Sequence, residues 1–179
     1  LEALERDAAL VPSVLAQLGH ASNQEPGTKD QKTRRIATNI VLVGLMGSGK
    51  TTVGRIAAHT LGFDFVDTDH LIIEDAGKSI PDIFAAEGEA GFRGRETAAL
   101  KSLTGRDRLV IATGGGIVTR PENLAALRRL GFVVWLDAGI ETLRRRTAHS
   151  QDRPLLRDVD PTLKLRSLHE TRAPLYRGI

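Results

Sequence analysis

Between residues 36 and 148, short apolar runs rich in β-branched side chains alternate with longer stretches in which apolar residues recur every three to four positions. Short runs of this kind are typical of strands that are covered on both faces. The longer stretches predict amphipathic helices. The predicted strands are residues 39–43, 63–67, 109–113 and 132–137, and the predicted helices are residues 51–61, 80–104, 121–130 and 140–148.

Alternation of strands and helices is typical of a parallel sheet whose strands are joined by right-handed crossovers. The pattern therefore predicts an α/β domain with helices on both faces of a central parallel sheet. A further helical segment is expected at residues 161–172, after a polar loop that starts at Gln151.

The first 35 residues follow a different pattern. Residues 1–19 carry apolar side chains at helical spacing, interrupted near Pro12, and residues 20–35 are polar and contain Pro26-Gly27. We therefore expect an N-terminal extension, a helix plus linker, at residues 1–35, and one domain at residues 36–179. The only methionine is Met46, so we read the sequence as a fragment, a processed chain or part of a longer one.

Composition narrows the function classes. The chain has 179 residues, 41% of them apolar, with a net charge of +3, which favours one folded domain over a disordered polymer. Cysteine is absent, which excludes a disulfide framework, a thiolate metal site and a cysteine nucleophile. The sequence lacks an apolar run of the ~20 residues that span a bilayer, and its first residues are acidic, so we expect a cytoplasmic protein.

The clearest motif lies between the first predicted strand and helix. Residues 44–51 read GLMGSGKT, which matches the phosphate-binding pattern G-x-x-x-x-G-K-[ST] in the context that this pattern requires. Backbone N–H groups of such a loop surround phosphate oxygens, and the helix N-terminus adds partial positive charge. A dinucleotide-binding motif fails, because its third glycine position is occupied by a threonine. The predicted nucleotide-binding residues are Gly47, Ser48, Gly49, Lys50, Thr51 and Thr52.

Two further segments follow predicted strands, where ligands bind in open α/β sheets. Asp67 and Asp69 are two residues apart, so on an extended chain they would face the same side, one towards Mg²⁺ and one towards a substrate hydroxyl. The alternative is a cap for the next helix. Gly114-Gly115-Gly116 would let a ligand touch bare backbone, or it forms a flexible turn.

Other chemistries find little support. The five histidines lack metal-ligand spacing, a G-x-S-x-G element is absent, and the seven aromatic residues do not interleave with basic ones. Arginine outnumbers lysine, and three arginines precede or follow glycine and proline segments in suggestive places: Arg93, Arg153 and Arg172. The run at residues 144–146 is more typical of a solvated helix face.

Together these motifs resemble those of the shikimate kinases. The resemblance extends over about residues 36–176, through GLMGSGKTTVG at 44–54, DTD at 67–69, GEAGFRGRE at 88–96, GGG at 114–116, RPLL at 153–156 and RAPLY at 172–176. It implies a three-layer αβα P-loop kinase fold with sheet order 2-3-1-4-5, a lid, and a helical substrate-binding insertion at residues 84–95. It also implies transfer of the γ-phosphoryl group of ATP to the 3-hydroxyl of shikimate, on the route to chorismate and the aromatic amino acids, with Mg²⁺.

The resemblance also assigns roles at the nucleotide. Lys50 resembles the phosphate-binding lysine, and Thr51 and Asp67 resemble the residues that hold Mg²⁺, Asp67 through water. Arg153 is similar to an arginine of the lid that swings onto the phosphates, and Arg146 to an arginine near the adenine. We accordingly expect a monomer that binds a small-molecule substrate, without a nucleic-acid or membrane partner.

At the acceptor, Asp69 resembles the residue that binds substrate hydroxyls and acts as base. Arg93 and Arg172 resemble the pair that grips the shikimate carboxylate, and the segment Gly114, Gly115 and Gly116 contributes backbone contacts. Glu96, one helical turn after Arg93, is expected to orient it.

Two departures leave alternatives open. Residues 1–35 have no counterpart in the compact kinase, and the family's final strand and helix, after RAPLY, are expected to be absent. One alternative is a shikimate-kinase-like sensing domain of a transcriptional regulator. Another is a different small-metabolite kinase, of the gluconate kinase type.

Overall fold

The structure, a computed structural model, describes residues 39–148 and 160–179. The elements in chain order are β1 (Ile40–Val43), α1 (Lys50–Leu61), β2 (Asp64–Asp67), α2 (Thr68–Ala76), α3 (Ile80–Ser102), β3 (Leu109–Ala112), a short 3₁₀ helix (Ile117–Thr119), α4 (Pro121–Leu130), β4 (Phe132–Trp135), α5 (Ile140–Thr147) and α6 (Pro161–Arg177). The predicted extension at residues 1–35 and the Gln151 loop lie outside the described residues.

The described strands form one parallel sheet in the order β2-β3-β1-β4. The predicted α/β architecture is confirmed, and so is the order of the four strands. The family order 2-3-1-4-5 differs only in its fifth strand, since the described residues contain no strand after β4. No described helix is long and apolar enough to cross a membrane.

Apolar side chains cover the sheet on both faces, as the apolar strand runs predicted. Alternate residues of β1 point to opposite faces. Ile40 and Leu42 belong to the core cluster that includes Val53 and Ala57 of α1. Val41 and Val43 belong to the larger cluster that includes residues of α3, α4, α5 and α6. The phosphate-binding loop therefore leaves a strand that is fixed from both sides.

One helix at the carboxyl edge of the sheet, α2, was not predicted from the sequence. Helix α2 begins directly after β2, with Asp67 as its N-cap, and ends at Gly77. Asp67 and Asp69 are therefore not on an extended chain, and that premise is wrong. Helix α3 covers the predicted insertion at residues 84–95 in two helical segments that meet at a kink at Gly88, whose backbone is not helical (φ 68°). A small apolar cluster that includes Ile72 and Phe92 packs α2 against α3.

Candidate active site

The loop between β1 and α1 surrounds the Lys50 side chain. Nζ of Lys50 donates hydrogen bonds to the carbonyl oxygens of Gly44 and Leu45, both at 2.8 Å. Gly49 is the N-cap of α1 with a φ of 98°, and Gly47 has a φ of 77°, so the loop takes turns that L side chains rarely adopt. Because Gly49 has no side chain, it cannot occupy the first N–H groups of α1. This arrangement fits a phosphate group.

Helix α5 covers the same loop from the other side. Arg146 donates from Nη1 to the carbonyl oxygen of Gly47 at 3.3 Å. A Cβ added at Gly47 would lie 3.0 Å from Cγ2 of Thr147, so the loop and α5 are in close contact. Arg146 thus contacts the phosphate-binding loop and does not lie on a solvated face alone.

Thr51 and Asp67 meet at the start of α1. The Thr51 hydroxyl donates to Oδ2 of Asp67 at 2.9 Å, and Oδ1 of Asp67 accepts from the backbone N–H of Asp69 at 3.1 Å. Asp67 is therefore a helix cap, as the alternative interpretation expected, and also a neighbour of the phosphate-binding loop. Mg²⁺ binds oxygen ligands and is usually held by one or two side chains together with phosphate oxygens. These two oxygen-bearing side chains fit that requirement.

Two acidic side chains lie against Gly114. A Cβ added there would be 3.0 Å from Oδ1 of Asp69 and 2.2 Å from Oε1 of Glu96. Glu96 has no solvent exposure, and burial raises its pKa to about 6; Arg93 lowers this pKa and Asp69 raises it further. Gly114 is thus needed because side chains of the protein itself occupy the space beside it.

Arg93 is buried on α3 and is held by two carboxylates. Its Nη1 donates to Oε2 of Glu96 at 2.9 Å and its Nη2 to Oε1 of Glu89 at 2.6 Å. A Cβ added at Gly116 would lie 2.3 Å from Cζ of Arg93, so the guanidinium packs on bare backbone. The contact between Glu96 and Arg93 agrees with the orienting role expected for Glu96.

Helix α6 brings Arg172 to the middle glycine. Arg172 donates from Nη1 to the carbonyl oxygen of Gly115 at 3.1 Å, and the hydroxyl of Tyr176 donates to the same oxygen. Burial lowers the pKa of Arg172, and the positive charge of Arg93 lowers it further. A Cβ added at Gly115 would lie 3.2 Å from the backbone nitrogen of Met46 in the phosphate-binding loop. Gly115 therefore joins the nucleotide side of the site to the arginine side.

A cleft of about 720 Å³ opens beside these groups, in the size range of small-ligand sites. Its lining includes Thr51, Asp67 and Asp69 on one side and Ile73, Lys78 and Ile80 on the other. Thr51, Asp67 and Asp69 line this cleft, and the contacts of residues 114–116 connect Asp69 and the phosphate-binding loop to the two arginines.

The structure brings together most of the residues singled out in the sequence, and Arg153 lies outside the described residues. Sequence reasoning missed Glu89, the second carboxylate on Arg93, and Tyr176, the second donor to Gly115. Both stood inside quoted motifs, four residues from an arginine of interest, which is one helical turn. That spacing was the available signal.

Comparison with known proteins agrees with this geometry. The sequence profile of a family described as "SKI: Shikimate kinase" matches residues 46–179. A shikimate kinase of Symbiobacterium thermophilum is 58% identical over 140 residues, which are 77% of this chain and 80% of the relative. The solved structure of a shikimate kinase from Acinetobacter baumannii in complex with shikimate is 50% identical, with a TM-score of 0.77 over 79% of each chain. A gluconokinase from Sinorhizobium meliloti, 23% identical with a TM-score of 0.52 over 77% of this chain and 76% of the other, shares the fold.

Proposed function

The chain belongs to the shikimate kinase family and phosphorylates shikimate with ATP and Mg²⁺, and we propose that it transfers the γ-phosphoryl group to the 3-hydroxyl in the cleft described above. The observation that carries this proposal is the position of Gly115, which packs against the phosphate-binding loop and accepts a hydrogen bond from Arg172. Donor and acceptor groups of a phosphoryl transfer must adjoin in this way.

Phosphoryl transfer needs positioning and charge neutralisation more than covalent help from the protein. Lys50, which the glycine-rich loop surrounds, would supply positive charge to the β- and γ-phosphates. Thr51 and Asp67 would hold Mg²⁺, which neutralises phosphate charge when bound. Arg146 supports the loop through Gly47.

On the acceptor side, Asp69 lies in the first turn of α2 and lines the cleft. We propose that its carboxylate binds the substrate hydroxyl and receives its proton. Arg93 and Arg172 would bind the shikimate carboxylate, since planar guanidinium groups pair well with carboxylates. The triglycine segment keeps both arginines close to the phosphate-binding loop.

The direct test is ADP release measured with ATP and Mg²⁺, with and without shikimate, and with gluconate as a competing acceptor. ADP release that depends on shikimate supports the proposal, and release with gluconate alone refutes it. Lys50→Ala should abolish ATP binding, whereas Asp69→Asn should retain ATP binding and lose turnover. Neither alternative function is favoured, since the likeness to the gluconokinase supports the fold alone.

Three further proposals concern Arg153, the location of the protein in the cell and its oligomeric state. Arg153→Ala should reduce kcat more than it weakens shikimate binding, as a lid residue would. We also propose that the protein acts in the cytoplasm and as a monomer. Light scattering of the purified protein tests the monomer, and cell fractionation tests the location.

A further inference from the structure

The guanidinium of Arg93 is enclosed by groups of the protein itself. One terminal nitrogen bonds Glu96 at 2.9 Å and the other bonds Glu89 at 2.6 Å. The backbone of Gly116 packs on the group, because a Cβ added there would come within 2.5 Å of Cζ and both terminal nitrogens. Each glutamate is bonded to one terminal nitrogen, so a further carboxylate at Arg93 competes with both of them for the same guanidinium.

The two glutamates differ in how easily they can leave. The Glu96 side chain is fully buried, whereas that of Glu89 is 53% exposed. Glu89 also directly follows Gly88, where α3 is kinked with a left-handed backbone. A released Glu89 carboxylate regains water, while a released Glu96 carboxylate would remain buried without its partner. Glu89 is therefore the exchangeable partner of Arg93.

We propose that Glu89 is a specificity residue, an internal carboxylate that occupies Arg93 until the carboxylate of the acceptor replaces it. This inference rests on the proposed function, in which Arg93 binds the acceptor carboxylate. An acceptor that also contacts Arg172 and Asp69 gains enough from those contacts to displace Glu89. A simple anion gains only the contact with Arg93 and is excluded. Glu89 thus opposes any carboxylate at Arg93, and only an acceptor with further contacts binds in spite of it.

An orienting role for Glu89 predicts the opposite effect of its removal. Arg93 would retain its bond to buried Glu96 and its packing on Gly116 in the absence of Glu89. The guanidinium therefore stays in place, and the loss of the competing carboxylate determines whether acceptor affinity rises or falls. Removal of Glu89 should strengthen acceptor binding.

The test compares Glu89→Gln with Glu87→Gln in the full chain. Glu87 lies on the same helix and pairs with Arg95 instead of Arg93, so its variant carries the same change of charge. Calorimetry gives the Kd for shikimate, steady-state assays give KM and kcat, and acetate serves as the simple anion. We expect Glu89→Gln to lower the Kd and KM for shikimate about five-fold, near the upper range of a partly exposed ion pair, with kcat within about two-fold. Inhibition by acetate should strengthen by a similar factor, because the same contact of Glu89 with Arg93 opposes both ligands, and Glu87→Gln should change neither.

Unchanged or weaker shikimate binding in Glu89→Gln, or equal effects in the two variants, would overturn the inference. Arg93→Lys separates this failure from that of the proposed function. If Arg93→Lys leaves shikimate affinity unchanged, the carboxylate site itself is wrongly placed. If Arg93→Lys weakens binding while Glu89→Gln fails to tighten it, the site stands and the role of Glu89 falls. Urea unfolding of each variant confirms that all of them fold.

Discussion

Gly116→Ala should damage shikimate binding far more than it damages stability. Gly116 has φ −98° and ψ 0°, which alanine can adopt, so the substitution acts through its Cβ alone. That Cβ would lie 2.3 Å from Cζ and Nη1 of Arg93 and 2.5 Å from Nη2. Because the three distances are nearly equal, the methyl group presses on the face of the guanidinium rather than on its edge.

The size of the displacement decides which property suffers. Movement from 2.3 Å to an ordinary contact distance of 3.4 Å requires a shift of about 1.1 Å. At right angles to the 2.9 Å bond from Arg93 to Glu96, such a shift lengthens the bond only to about 3.1 Å, which is still a hydrogen bond. We therefore expect a loss of about 1 kcal/mol in the free energy of unfolding, as in mild overpacking. A misplacement of about 1 Å in a group that positions the substrate, by contrast, lowers catalytic efficiency about 10- to 100-fold. The KM for shikimate should therefore rise by that factor.

The assay is steady-state kinetics with each substrate varied in turn, together with urea unfolding. The KM for ATP should remain unchanged, because the atoms nearest to the new methyl group belong to Arg93 and not to the phosphate-binding loop. Gly94→Ala is the matched control on α3, since its Cβ would meet nothing within 4 Å. It should leave the KM for shikimate unchanged and stabilise the helix by about 0.5 kcal/mol. A Gly116→Ala protein with the KM of the parent would refute the placement of Arg93 in the acceptor site.

Three further predictions concern buried polar groups. Burial is the main cause that raises the pKa of Glu96 from 4.5 to about 6, so the folded protein binds this proton more tightly than the unfolded chain does. About 2 kcal/mol of stability present below pH 4.5 should therefore be lost as the pH rises through 6. Urea unfolding of Glu96→Gln at a series of pH values should lack this dependence of stability on pH. Tyr176→Phe keeps the ring stacked on Trp135 but removes the hydroxyl, whose pKa burial raises to about 12 so that it stays a donor. Unfolding should become easier by about 1 kcal/mol, and the KM for shikimate should rise a few-fold while that for ATP stays constant, because Arg172 shares the same carbonyl acceptor. Asn39 bonds the backbone of Arg106, Leu109 and Leu130 at 2.8 to 2.9 Å, so Asn39→Ala should cost about 3 kcal/mol in thermal unfolding with kcat unchanged; a kcat that falls with stability would contradict a purely structural role.

The sequence predicted the regular elements well where hydrophobic periodicity is strong. All four strands and the helices α1, α3, α4 and α5 lie within two residues of their predicted bounds, and α6 extends from its predicted start to Arg177. Helix α2 was missed because Asp67-Thr68-Asp69 was interpreted as the end of a strand. The N-cap at Asp67 and Gly77 nine residues after Thr68 were the helix signals available there.

The candidate site was predicted in part, for a physical reason. Motifs with a local mechanism, such as the glycine-rich loop before α1, can be interpreted from spacing alone. The occupants of the space beside the triglycine segment cannot, because contacts of Gly114 with Glu96 and of Gly115 with Met46 depend on how α3 and the phosphate-binding loop pack against β3. The sequence indicated that the triglycine segment offers bare backbone to a ligand, and the structure shows that side chains of the protein itself pack against that backbone.

The triglycine segment also limits how the enzyme could be redesigned for other acceptors. Its three residues contact different neighbours, namely Glu96, the phosphate-binding loop and Arg93. Substitutions in this segment would therefore disturb these neighbours before they enlarged the pocket. The cleft beside Asp67 and Asp69 is lined by other residues, among them Ile73, Lys78 and Ile80, and Ile73 is 37% exposed. Libraries that seek a bulkier acceptor should therefore vary the turn between α2 and α3 and keep residues 114–116 fixed.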